Sequence, residues 1–340
     1  MNKNYGVFGL ALQAEKGTPV APSVTFLASA DSPGIDASTS TEAVNLTNGM
    51  RDTTVDRYIN GSESTAHVTT IATADMLGLL LYATLGRIAT AGAEAPYTHD
   101  VKMGEELPLL TFTQQVGSSS AALQQLDDCK VSQLTIAASG TTPPSVEMQL
   151  AGCKAKWLAS SEWSGPAFDI ADGYFKTIDA EVLFSLTDGD ASEPPASVVL
   201  NSINIDINNN TSATSKLGSI EPSLQTEGSA TVTVSLEGTT DSTALYRAVK
   251  TGSESGTELA KSIVIGALQA SFPHTVEDWT LVAKLGAIPW TIEAMNVGVE
   301  GGPFDLRLST DGAISVDGTS IEFLLQNEVA SYAAAQGSGE

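Results

Sequence analysis

The chain has few of the residues from which metal and catalytic sites are built. Its 340 residues include two cysteines and three histidines. His67 lies inside an alternating segment, and His99 and His274 follow turn-like residues with no cysteine or second histidine nearby. That scatter excludes a Cys/His zinc site of ordinary spacing. No GxxxxGK[ST] phosphate loop, GxSxG elbow or HExxH helix occurs. Asp127-Asp128 and Glu105-Glu106 are adjacent carboxylates. Neighbours on a strand point to opposite faces, so neither pair forms an acid–base couple by itself. GVEGGP (298–303) is glycine-rich but opens no strand-to-helix switch and reads as a turn. No catalytic residue, cofactor or metal is therefore expected.

Positive charge is also scarce. Sixteen Lys and Arg face forty Asp and Glu, a formal net charge of −24. General nucleic-acid binding needs cations that displace counterions, so that class is excluded, and anionic membranes are repelled as well. The acidity is dispersed. It serves either solubility, including in a saline habitat, or an acidic inner wall past which DNA slides without sticking. No apolar run approaches the ~20 residues of a spanning helix; the longest is Met76–Leu85. The N-terminal MNKNYGVFGLALQAEK makes a poor signal peptide and reads as a folded or docking arm of a protein made and used in the cytoplasm. Aromatics are only 6% of a chain that is 42% apolar, so its cores rest on Val, Ile, Leu and Ala.

What is present is strand material. Segments 65–72, 130–138, 145–152, 176–186, 198–207, 230–238 and 262–272 are alternating or β-branched, with further candidates at 279–288, 289–299, 304–310 and 320–329. Turn residues separate them at 141–144, 187–195, 300–303 and 310–313. A hairpin around Gly140 that pairs Ile136 with Val146 and Leu134 with Met148 brings Cys129 opposite Cys153. A cross-strand disulfide is then geometrically allowed, though reduced thiols suit a reducing compartment better.

Only Thr73–Gly86 and Thr239–Gly252 read as helices, and they resemble one another. Aligned without gaps, both carry Thr, Asp, Leu and a closing Gly at the same offsets. Each has an N-capping Thr, an Asp for the first turn and a Gly for the left-handed C-terminal position. Each follows a strand opened by Gly-Ser, at Gly61-Ser62 and Gly228-Ser229, and a long polar stretch, Ser38–Tyr58 or Asn208–Gln225. The order strand, long loop, strand, short helix, further strands thus occurs twice, which points to a diverged duplication. The expected organisation is an N-terminal arm (1–24), a first β-domain (25–160), a linker (161–174), a second β-domain (175–330) and a C-terminal tail (331–340). Loops of some twenty residues without structure of their own are usually functional. Val44, Leu46, Met50, Arg51, Val55 and Tyr58 in the first loop, and Leu217, Ile220 and Leu224 in the second, are the expected subunit and ring contacts.

Three stretches carry a family likeness. GVFGLALQAEKGTPVAPSVTFL (6–27), GSESTAHVTTIATADMLGLLLYATLG (61–86) and VVLNSINIDINNNTSATSKLGSIEPSLQTEGSATVTVSLEG (198–238) resemble the N-terminal arm, the strand-then-helix unit and the strand–loop–strand unit of siphophage major tail tube proteins. The resemblance implies a mainly β fold of two tandem antiparallel sandwich or barrel domains, each with one short flanking helix. It also implies a structural role in rings stacked into a DNA channel. The implied partners are further copies of the chain, in trimeric pseudo-hexameric or hexameric rings, the tape measure protein and phage DNA in the lumen, and terminator and distal tail proteins at the ends. A rival is a secreted or cell-surface β-protein such as an adhesin or surface-layer module, which the lack of a convincing signal peptide opposes. A carbohydrate-active enzyme would need two carboxylates about 5–10 Å apart in a cleft.

Overall fold

The computed structural model describes residues 6–27, 29, 32–45, 54–116, 123–159, 173–186, 191–192, 197–260, 262–293 and 303–332. The first part of the chain runs β1 (Gly6–Gln13), β2 (Val24–Leu27), β3 (Gly34–Asn45), β4 (Thr54–Ile71), α1 (Ala74–Leu85), β5 (Gly86–Ala91) and β6 (Tyr97–Met103). It continues with β7 (Leu109–Val116), β8 (Leu123–Ser139), β9 (Ser145–Gly152) and β10 (Lys154–Leu158). The second part begins with β11 (Glu181–Phe184), β12 (Val198–Asn208), β13 (Ser212–Ser215), β14 (Pro222–Thr226), β15 (Thr231–Thr240) and α2 (Ala244–Thr251). It ends with β16 (Ile265–Pro273), β17 (Thr280–Pro289), β18 (Thr291–Ile292), β19 (Phe304–Thr310) and β20 (Glu322–Asn327). The fold is mainly β, and among the described residues the strand pairs are antiparallel.

The larger sheet contains an unbroken run, β3-β4-β9-β8-β12-β15-β19-β18, in which the second half of the chain continues the sheet of the first. Period-two alternation explains it. Ala66, Val68, Val146, Met148, Leu150, Leu134, Ile136, Ile203, Ile205, Ile207, Val232, Val234 and Leu236 are buried on one face, and polar residues alternate with them on the other. The seam between halves is β8 against β12, from Ser202 opposite Ser139 to Asn208 opposite Gln133. Gln133 Nε2 and Thr135 Oγ1 both donate to Asp206 Oδ1 across it, at 2.6 and 2.7 Å.

β8 serves two groups of strands. Its first part pairs β7 and β10, and its last part pairs β9 and β12. At the change of partner Asp128 adopts φ 53°, and its carboxylate accepts from Gln13 Nε2 at 2.6 Å and Gly17 N at 2.7 Å. These bonds tie the chain after β1 to the bend. A register shift after Val131 puts Lys130 opposite Ala151 and breaks the pairing expected of Cys129 and Cys153. Both are buried free thiols, and burial pushes each pKa up, away from the reactive thiolate.

The second sheet, β11-β16-β17-β20-β6-β5, also mixes the halves, because β20 lies between β17 and β6. One continuous apolar core fills the space between the sheets. α1 lies in it against β6, β8 and β20 and buries ten of its twelve residues, as its all-round apolar sequence requires. α2 is amphipathic and buries Leu245, Ala248 and Val249. Both helices end on glycine in the left-handed conformation, Gly86 at φ 86° and Gly252 at φ 76°.

The expected α2 start is corrected by four residues. Thr239 and Thr240 extend β15 opposite Asp305 and Phe304, so the helix begins at Ala244, with no acidic residue in its first turn. Thr73 flanks α1 as expected but makes no side-chain capping bond. Strand 176–186 shortens to β11, and Gly61-Ser62 lies within β4 rather than opening it. Of the expected linker, 161–174, residues 161–172 lie outside the described residues.

A buried polar cluster joins the second sheet to α1. His99 Nε2 meets Asn327 Oδ1 at 3.0 Å and its Nδ1 meets Thr90 Oγ1 at 2.9 Å, while Asn327 Nδ2 donates to Ala74 O at 3.2 Å and contacts the Tyr332 hydroxyl. The Tyr332 ring lies so close to Gly78 that a Cβ there would fall 2.3 Å from it. Asn327→Ala would remove the partner of His99 Nε2 and the side-chain donor to the Ala74 carbonyl. It is expected to cost about 2–4 kcal/mol in urea unfolding. Burial also lowers the pKa values of His99 and His274, so the folded chain resists protons that the unfolded chain accepts. Their contribution is fully present above the unfolded histidine pKa of about 6.5 and is lost as the pH falls towards the folded values. His99→Gln should flatten the dependence of melting temperature on pH below about 6.5.

Candidate assembly surfaces

Among the described residues three surfaces stand out as largely uncovered: the polar face of the long sheet, its two edges and the outer parts of two hairpins. The polar face is laid out in rows across the strands. One row reads Thr69, Glu147, Thr135, Asp206, Thr233, and the next reads Ile71, Ser145, Ala137, Asn204, Ser235, Ser309, Thr291. Strand registers put the carboxylates of Asp36, Glu63, Glu147, Asp206, Glu237, Glu293 and Asp305 on this face. Among the described residues Arg307 lies 3.8 Å from Glu237 and 3.5 Å from Glu293, and the His67 imidazole meets Glu147 at 2.7 Å. Those exposed pairs contribute little to stability, but they leave the face short hydroxyls and amides under a net negative charge.

The edges are β3 and β18. Ile35 N–H donates to Gln114 Oε1 at 2.6 Å rather than to β4. By antiparallel alternation the Ala37 and Thr39 amides therefore also face outward. Among the described residues β18 pairs only with β19.

The stretches expected as long loops are hairpins instead. β3 and β4 stay paired from Gly34–His67 out to Asn45–Thr54, whereas β4 meets β9 only from Ser64 to Ile71. The outer residues thus form a two-stranded arm that projects about 30 Å at ~3.3 Å per residue. Ser, Thr, Glu and Ala along 37–43 lack an apolar period because neither side of the arm meets a core. The second stretch forms the β13–β14 hairpin, which leans across the seam onto the first half. Ser62 N donates to Ile220 O at 2.8 Å, buried Gln225 donates through Nε2 to Gly152 O at 2.8 Å, and Lys16 reaches Ser223 O.

Of the expected contact residues, Val44 lies half-buried on β3 and Tyr58 is exposed on β4, its hydroxyl 3.0 Å from Glu42 Oε2. Val55 belongs to β4, while Leu46, Met50 and Arg51 lie outside the described residues. Leu217, Ile220 and Leu224 are all exposed on the second hairpin, Leu217 completely. The two groups do not form one patch; each occupies its own hairpin. Sequence reasoning missed the sheet edges and exposed Ile59, Ile314 and Val316. A period-two pattern shows that a strand has two faces, but not that its edge is free.

A family model described as phage tail tube protein matches residues 5–303. The chain belongs to the phage tail tube protein family. No curated protein matches it. The family is structural, so this tail tube protein is a non-enzymatic subunit of the virion tail that stacks with its own kind into a tube. Among the described residues there is no cluster of three or more metal-ligating side chains, and no helix is long and apolar enough to cross a membrane.

Gln225 is the anchor of the second hairpin. Gln225→Ala should release it, raising tryptic cleavage after exposed Lys216 by on the order of tenfold for a loss of about 1.4 kcal/mol. An unchanged cleavage rate would show that the other contacts hold the hairpin alone.

Proposed function

We propose that this tail tube protein forms the tube of a long, non-contractile siphophage tail, with three chains in each pseudo-sixfold ring. The observation that carries this is a repeated strand order. The run β3-β4-β9-β8 and the run β12-β15-β19-β18 have the same succession in the sheet and in the chain, each with a helix after its second strand. Register supports the same equivalence. Ile136 lies opposite Val146 and Ile292 opposite Leu308, and both strands read Thr-Ile there. In this reading residues 25–160 and 175–330 are duplicated tube units, flanked by the 1–24 arm, a 161–174 linker and a 331–340 tail. The units interlock through β8–β12 and β6–β20 and do not stand as separate bodies.

Each chain then contributes eight strands, and three chains contribute three times eight, 24 strands, to one barrel. Ring closure pairs β18 of one chain with β3 of the next and removes both open edges. The apolar face of the sheet is already covered, so the polar face turns to the lumen. DNA carries one negative charge per ~1.7 Å of its axis, and a wall of carboxylates, hydroxyls and amides, on which Arg307 lies between Glu237 and Glu293, carries a surplus of negative charge along the path of ejection. The tape measure protein would occupy the same lumen before DNA, with terminator and distal tail proteins at the tube ends. The hairpin residues Val44, Leu46, Met50, Arg51, Val55, Tyr58, Leu217, Ile220 and Leu224 serve subunit and ring contacts.

Native mass spectrometry combined with negative-stain microscopy tests this reading. The expected unit is three times 35.2 kDa, about 106 kDa, forming rings with apparent sixfold symmetry. A ring of six chains, or monomers that never assemble, would contradict it.

A further inference from the structure

We infer that the β3–β4 arm docks laterally on the second half of the neighbouring chain in the same ring, at the start of β15 and the turn after β19. The inference rests on the three-chain ring proposed above and deepens it by naming the partner surface. Its basis is a contact present within one chain. The seam between halves has two parts, the β8–β12 ladder and the β13–β14 hairpin lying over β4 and β9. That hairpin connects β12 to β15 as the arm connects β3 to β4, so the arm is its counterpart. In a pseudo-sixfold ring every seam repeats both parts. The seam between chains therefore has β18 against β3, with the arm lying over β15 and β19.

The receiving surface can be read from the registers. Ser62, which donates to the hairpin, precedes the part of β4 that pairs β9, and the matching place in the second half is Gly228-Ser229, before β15. Gly152, which accepts from Gln225, ends β9, and the matching place is the turn after Thr310, which ends β19. These two places adjoin a cavity of about 210 Å³ lined in part by Gly228, Ala230 and Ser315. Ile314 and Val316 are exposed at 44% and 46% beside it, in a turn whose Asp311 and Asp317 are also exposed. The arm offers the complement, with Tyr58 and Ile59 half exposed and Arg57 exposed between the same strands. Apolar residues facing apolar residues, and a guanidinium near two carboxylates, suit one copy of this chain to the next.

Disulfide trapping in assembled tubes tests the contact. The chain with Ile59→Cys and Ile314→Cys carries exposed thiols, whereas native Cys129 and Cys153 are buried. A second pair, Arg57→Cys with Asp317→Cys, guards against an unfavourable thiol geometry or a failure to fold. Mild oxidation should yield, on a non-reducing gel, a ladder that stops at the number of chains counted per ring by microscopy, because an in-ring contact closes on itself. Either single variant should give no ladder. An open-ended ladder would overturn the inference, since it places the arm on the adjacent ring. Intact tubes with no cross-link from either pair would also overturn it while leaving the ring reading intact. Failure of the unmodified chain to form rings would instead defeat the ring reading and this inference together.

Discussion

An antiparallel sheet cannot finish itself. Each edge carries a row of peptide N–H and C=O groups whose natural partners are another strand. Here, among the described residues, the eight-strand run leaves β3 open at one side and β18 at the other. Only limited local protection is present, such as the Gln114 side chain on Ile35 N–H. A monomer with two such edges is prone to associate, and association of unlike edges gives a ring if the rotation closes. In the ring proposed above, this liability serves assembly.

Closure demands a rigid sheet, and the interior supplies it. The two halves share one core, the second sheet interleaves β20 between β17 and β6, and α1 is enclosed where the sheets meet. The His99–Asn327–Tyr332 cluster joins β6, β20 and the segment after β20 to the N-terminal turn of α1. Buried polar groups of this kind are costly when broken and so fix a single packing. The polar face of the sheet obeys the opposite requirement. Its short side chains keep it smooth, and its surplus carboxylates keep it from holding a polyanion. The salt bridges from Arg307 remain exposed, so the face stays wet.

The strands facing the core were legible in the sequence because burial imposes period two. Segments 145–152 and 304–310 coincide with β9 and β19, and the pairing of Ile136 with Val146 follows from where their hairpin turns. The hairpin arms were not legible. Residues 37–43 and 212–215 are held by cross-strand hydrogen bonds with little burial, so nothing in their side-chain pattern distinguishes them from loops. The start of α2 failed for a related reason. Thr239 and Asp241 have the chemistry of a cap, but the ladder to β19 claims Thr239 first. The family likeness and the lack of catalytic chemistry were readable. The sheet edges and the receiving surface for the arm were not, because they depend on which strands lie side by side.

Hydrogen–deuterium exchange, comparing unassembled subunits with assembled tubes, tests the central claim that β3 is a ring-closing edge. The amides of Ala37 and Thr39 face away from β4. Peptides spanning 34–41 should therefore lose part of their exchange in tubes, while peptides from the β8–β12 seam, already paired, should be equally slow in both states. Equal exchange of the β3 peptides in subunits and tubes would mean that the edge stays open after assembly. That result would contradict a barrel closed by β18 and β3.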